Sequence, residues 1–395
     1  MPSAEPGRPS RALRPRLPLR TAAAFAAVIA ASAAACAGLR GPDREPIRFG
    51  VPLPLTSMDG KPDVYGANGK MGAELALREI NAQGGIGGRR LEFRELDDRG
   101  DDSTAIGVAQ QLFDDPKVVA VVGHVYSSTT IQAASIYQRG LPAVATSATS
   151  AEISGLGPWI FRVASSDSSN AASLARTARE MGLAAEIVYS NDDYGRGLDR
   201  FFGQALRAGG GRVLGSDPIL DDMADFGPYL ARLGRRGAGL VFLADAGGGA
   251  AKVIAQARAL RMPLRFMGGD GIEALADGTA VYDGTMVGSL FHPDATEASR
   301  KFAAAYRAAF HREPDSSSAL GYDAVMLLAE AVRAGNTTRQ SIRDWLETVG
   351  RPGGAPAFEG VAGRVAFDED GDPTGKAVYV SEIRNGRLQL SKVGR

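Results

Sequence analysis

From Pro46 onward the chain alternates short runs rich in β-branched residues with amphipathic stretches whose apolar residues recur three and four apart, and this rhythm constrains the fold most. IRFGVPL (47–53), LEFRELD (91–97), VVAVVGH (118–124), PAVATS (142–147), IFRVAS (160–165), AEIVYS (185–190), RVLGSDPI (212–219), GLVFLAD (239–245), LRFMG (264–268) and TMVGSLF (285–291) read as strands. Helices are predicted between them over 66–81, 103–113, 129–138, 168–181, 195–208, 226–235 and 249–261. Strand followed by helix, repeatedly, argues for an α/β fold of parallel sheets covered on both faces. The tail breaks the rhythm with successive helices at 295–311, 317–334 and 339–348, then extended segments near 358–367 and 377–390. The strands fall into two groups, one before residue 165 and one before 291, so two similar lobes are expected. The late helices would complete the first lobe and the last strands the second, giving three crossings between lobes.

The first 40 residues differ from the rest. Arg8, Arg11, Arg14, Arg16 and Arg20 stand with one acid, Glu5, among repeated prolines, which suits a long cationic leader. TAAAFAAVIAASAAA (21–35) is apolar and uncharged but too short for a span of about 20 residues, so it fits the core of a signal peptide. Ala33-Ala34-Ala35-Cys36 resembles a bacterial lipoprotein cleavage site, with Ala33 where Leu is usual, and AGLRGPDREP follows as a polar linker. Residues 1–35 are thus expected to be a signal peptide and 36–46 a linker with Cys36 as lipid anchor. An ordinary signal cut after one of the alanines is the alternative. Either way the chain is exported, and a chain beginning at Cys36 would carry a net charge of −4.

Composition excludes several classes. One cysteine makes no internal disulfide, and His124, His292 and His311 are too far apart in sequence for a zinc cluster. Equal numbers of basic and acidic residues, 45 each, leave no footprint for nucleic acid. GGGAAK (247–252) opens a helix after a strand, but Lys252 replaces the third glycine of a dinucleotide fingerprint. Gly84-Gly85-Ile86-Gly87-Gly88 ends a helix instead of starting one and reads as a cap and turn. DEDGD (368–372) resembles a calcium loop, but its glycine comes too early and Tyr379 stands where the closing Glu belongs, so a turn between strands is expected. No nucleophile elbow, phosphate loop or zinc-protease motif appears, and no metal, cofactor or catalytic residue is expected.

Short polar loops at the carboxyl ends of strands remain, where open α/β sheets place ligands. Gly123-His124-Val125-Tyr126-Ser127-Ser128-Thr129-Thr130 ends one strand and starts a helix, so its N–H groups and hydroxyls suit an anion such as a carboxylate. Thr146-Ser147-Ala148-Thr149-Ser150 follows the next strand as a second hydroxyl-rich loop. Each alone reads equally as a helix cap; their adjacency favours a site.

In order along the chain stand Tyr65-Gly66, Ile80 through Gly88, Asp97-Asp98, the Gly123–Ser128 loop, Ser147-Ala148-Thr149, Phe161-Arg162 before Asp167, Asp193 through Leu198, Phe266 through Gly271, Phe367 and Gly371-Asp372. This order resembles the leucine/isoleucine/valine-binding family of type I periplasmic binding proteins, the receptors of ABC amino-acid importers. The resemblance implies two doubly wound parallel-sheet lobes joined by three hinge strands, residues 47–166 with 292–360 forming the first and 167–291 with 361–395 the second. It implies that Ser127, Ser147 and Thr149 hold a ligand carboxylate with Ala148 also in the binding site, that Asp270 meets the α-ammonium and Asp167 is a lesser candidate for polar contact, and that Tyr65 and Tyr194 wall the ligand from opposite lobes. Ala246, followed by three glycines, stands where the family's branched-chain binders carry an aromatic, which predicts a wider side-chain pocket.

The expected function is capture of a small amphipathic solute, most simply an α-amino acid, for a membrane ABC permease, by a monomer that performs no chemistry. A sensor of the same fold acting through a signalling partner is the second reading, and an exported α/β enzyme the third.

Overall fold

The computed structural model describes residues 45–220, 223–246 and 248–391. The expected signal peptide, Cys36 and most of the expected linker lie outside the described residues, as does Gly247 of the glycine run. Two α/β lobes follow from the two groups of strands.

The first lobe is built on a five-stranded parallel sheet in the order β2-β1-β3-β4-β5, from β1 (Ile47–Leu53), β2 (Leu91–Asp97), β3 (Val118–Val122), β4 (Ala143–Ala145) and β5 (Ile160–Arg162). Helices α1 (Val64–Ala82), α2 (Asp102–Asp114) and α3 (Ser127–Tyr137) connect them. The late helices α8 (Glu297–Phe310), α9 (Ser316–Arg333) and α10 (Arg339–Thr348) return to this lobe, each started by an N-cap side chain: Thr296, Asp315 and Thr338. Helix α9 lies directly against α1, and the approach requires glycine: a Cβ at Gly72 would sit 1.8 Å from the Ser318 carbonyl oxygen. Phe49, Val51, Leu53, Ile80, Leu320 and Leu328 share the resulting core.

The second lobe holds a seven-stranded sheet in the order β14-β13-β10-β9-β8-β6-β7. Its strands β6 (Ala185–Ser190), β7 (Val213–Ile219), β8 (Leu240–Ala244), β9 (Arg265–Gly268) and β10 (Met286–Ser289) run parallel, while β13 (Tyr379–Arg384) and β14 (Arg387–Leu390) add an antiparallel edge. Pro218 sits in β7, an edge strand, where a missing N–H costs no ladder bond. Helices α4 (Asp167–Glu180), α5 (Asp193–Ala208), α6 (Gly227–Arg236) and α7 (Gly249–Ala259) complete the lobe.

One expected boundary changes. Residues 361–367, assigned from sequence to the second lobe, belong to the first: β11 (Phe358–Gly360) and β12 (Gly363–Val365) form a hairpin, and Ala362, Val365 and Phe367 lie in the first lobe's core. Asp323 of α9 holds the hairpin, accepting from Val361 N at 2.7 Å and Ala362 N at 2.9 Å. The second sheet therefore gains strands only from Tyr379.

The chain crosses between lobes after Arg162, after Ser289 and before Tyr379. The first and third crossings are tied together by a buried bidentate pair, with Arg162 Nε donating to Asp372 Oδ1 at 2.6 Å and Nη2 to Oδ2 at 2.5 Å. Lys376 adds a bond from Nζ to the Val163 carbonyl at 2.6 Å. DEDGD is a turn here: Asp368 accepts the Asp372 N–H on its side chain at 3.0 Å and donates its own N–H to the Asp372 carbonyl at 2.9 Å.

Candidate functional site

In each sheet the chain direction switches beside the first strand laid down: β1 lies between β2 and β3, and β6 between β7 and β8. Loops that leave such strands at their carboxyl ends diverge to opposite faces and leave a crevice. Here the segments that follow β1, β3, β4, β6, β8 and β9 contribute Tyr65, Ser127, Ser147, Tyr194, Ala246 and Asp270 to one cavity.

On the first lobe's side the wall is made of donors. Helix α3 begins at Ser127, a lining residue, with Tyr126 as N-cap and no side-chain cap, so the positive end of its dipole lies at the cavity. Ser127 Oγ accepts the Ser150 N–H at 3.1 Å, leaving its hydrogen to donate. Ser147 Oγ is buried without a hydrogen-bond partner. Neither hydroxyl is bonded to a base. The one nearby imidazole, His124, points inward, with Nδ1 2.6 Å from Asp98 Oδ2 and Nε2 3.0 Å from Tyr137 Oη.

The second lobe's side carries carboxyls. Asp270 opens a 3-10 turn (Asp270–Leu275) directly after β9, and Tyr194 Oη donates to its Oδ1 at 3.3 Å while accepting the Gly271 N–H at 3.1 Å. Only glycine fits at 271, where a Cβ would meet the Asp245 carbonyl at 2.7 Å and the Tyr194 ring at 2.9 Å. Tyr65 reaches across from α1 and donates its hydroxyl to the Gly271 carbonyl, so the two lobes touch beside the cavity. Tyr65 also meets Tyr126 edge to face, ring centres 6.4 Å apart. Burial pushes Asp270 up to about 6.

Three of the expected site residues do not line the cavity. Ala148 packs into the core behind β4, and Thr149 is fully buried. Asp167 is also fully buried, behind the wall, where desolvation and then the charge of Asp270 push it up to about 8 against the opposing pull of Thr149. Their burial follows from the chain turning inward after Ser147: the Asp167 N–H donates to the Thr149 carbonyl at 2.8 Å, which draws the loop onto the start of α4.

Val125, Tyr126, Gly271, Glu273, Ser316 and Ser317 also line the cavity and were not singled out as ligand-binding from sequence. Tyr126 and Gly271 lie within motifs already noted. Ser316 and Ser317 begin α9 behind the capping Asp315, a polar helix start that local reading treats as a cap. The glycine run after β8 is no nucleotide site: Asp245 Oδ2 accepts the Ala250 N–H at 2.8 Å, filling the helix start that a phosphate would need. Among the described residues no group of three or more His, Cys, Asp or Glu is placed to hold a metal.

Residues 46–387 match the family described as periplasmic binding protein. The Leu/Ile/Val-binding protein of Escherichia coli (strain K12) is 31% identical over 220 residues, 55% of this chain, and the match spans only 60% of that relative's length. Leu/Ile/Val-binding protein homolog 1 of Brucella melitensis biotype 1 is 29% identical over 373 residues, 91% of this chain and 94% of that one. Among solved structures, an ABC transporter substrate-binding protein from Desulfitobacterium hafniense in complex with Leu is 30% identical, with a TM-score of 0.72 over 88% of this chain and 100% of that one.

Proposed function

The chain belongs to the periplasmic binding protein family, and from that premise we propose that it is the exported solute-binding component of an ABC importer and closes its lobes on an α-amino acid. The observation that carries this reading is the polarity of the cavity: N–H groups and hydroxyls at Ser127 and Ser147 on one lobe, the Asp270 carboxyl on the other. A zwitterion leaving water needs donors at its carboxylate and an anion at its ammonium, and this cavity offers both in reach of one small molecule. Tyr65 and Tyr194 complete the enclosure. Closure is a hinge motion about the three crossings, and solute stabilises the closed population through contacts that exist only when Asp270 and Ser127 face each other. The arrangement holds and releases its ligand as a monomer; an ABC permease is the partner that receives it. Of the relatives named above, the sequence relatives are named as binding Leu/Ile/Val and the solved structure is a complex with Leu, which supports an amino-acid solute.

Calorimetry with Asp270→Asn tests the reading. An α-amino acid such as leucine should lose several kcal/mol of affinity, because an ammonium would be buried without its counter-ion, whereas the deaminated analogue should lose little. Equal losses for both ligands would sink the amino-acid assignment and leave a carboxylate binder.

A further inference from the structure

The cavity has polar lining beyond Ser127, Ser147 and Asp270. Glu273, three residues beyond Asp270, lines it together with Ser316 and Ser317 at the first turn of α9, and all three are 4–5% exposed. The hydrogen bonds there have a fixed direction. Ser316 Oγ accepts the N–H groups of Leu290 and Phe291 at 2.9 and 3.1 Å, so its hydrogen is donated to Glu273 Oε1 at 2.5 Å. Ser316 N donates to Glu273 Oε2 at 2.9 Å. Glu273 is thus an acceptor on both oxygens, held by neutral donors alone.

No Lys or Arg lines the cavity, and among the described residues no ion pair reaches Glu273. Tyr65, beside it, has already committed its hydroxyl to the Gly271 carbonyl. A carboxylate has about four acceptor positions, and two remain here on a wall of the cavity. An aliphatic side chain closed against Glu273 would leave a buried carboxyl with nothing further to accept from, which is costly. A side chain ending in N–H would fill it.

We propose that Glu273, supported by Ser316 and Ser317, reads the solute's side chain, and that the preferred solute is an α-amino acid whose side chain ends in a hydrogen-bond donor. This rests on the amino-acid reading above and narrows it. Burial and the charge of Asp315 push Glu273 up to about 8, so a cation or amide beside it would favour the ionised form that accepts. Ala246 also lines the cavity, and its small side chain takes up little of it.

Isosteric pairs test this: ornithine against norleucine, and glutamine against glutamate, each titrated calorimetrically into the protein and into Glu273→Gln, with leucine as reference. Ornithine should bind at least about 10-fold tighter than norleucine, and glutamine at least about 10-fold tighter than glutamate; Glu273→Gln should erase the ornithine preference. Norleucine equal to or tighter than ornithine in the unaltered protein overturns the proposal without any variant. Equal weakening of every ligand in Glu273→Gln also overturns it, since Glu273 would then only fasten the second lobe to Ser316. In both those outcomes an amino acid still binds and the broader reading survives. If none of the five binds, the amino-acid reading itself has failed and this proposal with it.

Discussion

Both the crossing region and the cavity bury carboxyls, but they treat them oppositely. At the crossings, Asp372 meets Arg162 in a two-pronged pair, and Arg162 spends its remaining N–H groups on the Ser150 carbonyl at 2.7 Å and Ser154 Oγ at 2.9 Å. Asp323, pushed up to about 6 by burial, is answered by two N–H donors and by the positive charge of Lys376. In the cavity, Asp270 and Glu273 meet hydroxyls and N–H groups, and among the described residues no Lys or Arg lines it. Buried charges satisfied internally hold the frame; under the proposed function, those left without a counter-charge receive one from the solute.

Removing a partner on each side sharpens this contrast. The largest effect should come at the crossings: Asp372→Ala leaves Arg162 buried and uncompensated, and thermal or urea unfolding should show a loss of about 3–5 kcal/mol. A loss within about 0.5 kcal/mol would mean that water already reaches the pair. In the cavity, Ser147→Ala should leave the melting temperature unchanged, because its hydroxyl has no internal partner, yet weaken amino-acid binding by about 1.5–3 kcal/mol through loss of a bond to a charged carboxylate. An unchanged affinity would move the carboxylate end away from Ser147.

A further effect, spread over pH, concerns Asp167, and its sign runs against the crossings. Its carboxyl is held near 8 in the folded chain, above the ordinary value of 3.8, so the folded state keeps a proton that the unfolded state loses. Stability from this group is present at low pH and declines as pH rises from about 4 through 8, by at most about 1.4 kcal/mol per pH unit. Asp167→Asn should therefore be nearly neutral for stability at pH 4 and increasingly stabilising toward pH 8, measured as melting temperature against pH. A variant that is less stable at pH 8 would show that the ionised carboxylate has a partner and belongs with the crossing group.

Much of this was legible before any coordinates. Ser127, Ser147, Tyr194 and Asp270 each follow the end of a strand within a few residues, and strand ends can be read from hydrophobic runs and the polar residues that stop them. Tyr65 and Ala246 rested on the order of motifs. Thr149 and Ala148 looked equivalent to Ser147 because local sequence does not say which residues of a loop face outward. A backbone bond from Asp167 decided that. The hairpin at 358–365 read simply as extended chain; only Asp323 on a distant helix assigned it to the first lobe.

By itself, then, the sequence determined the alternation of strands and helices, the two groups they form and the polar loops where strands end, because periodicity, capping and turn chemistry act over a few residues. Only the tertiary structure decided which loops share a cavity. Tyr65 meets Gly271 across 206 residues of chain, and Glu273 meets Ser316 across 43. Contacts at such separations depend on how whole sheets and helices pack, and no window of sequence holds both partners.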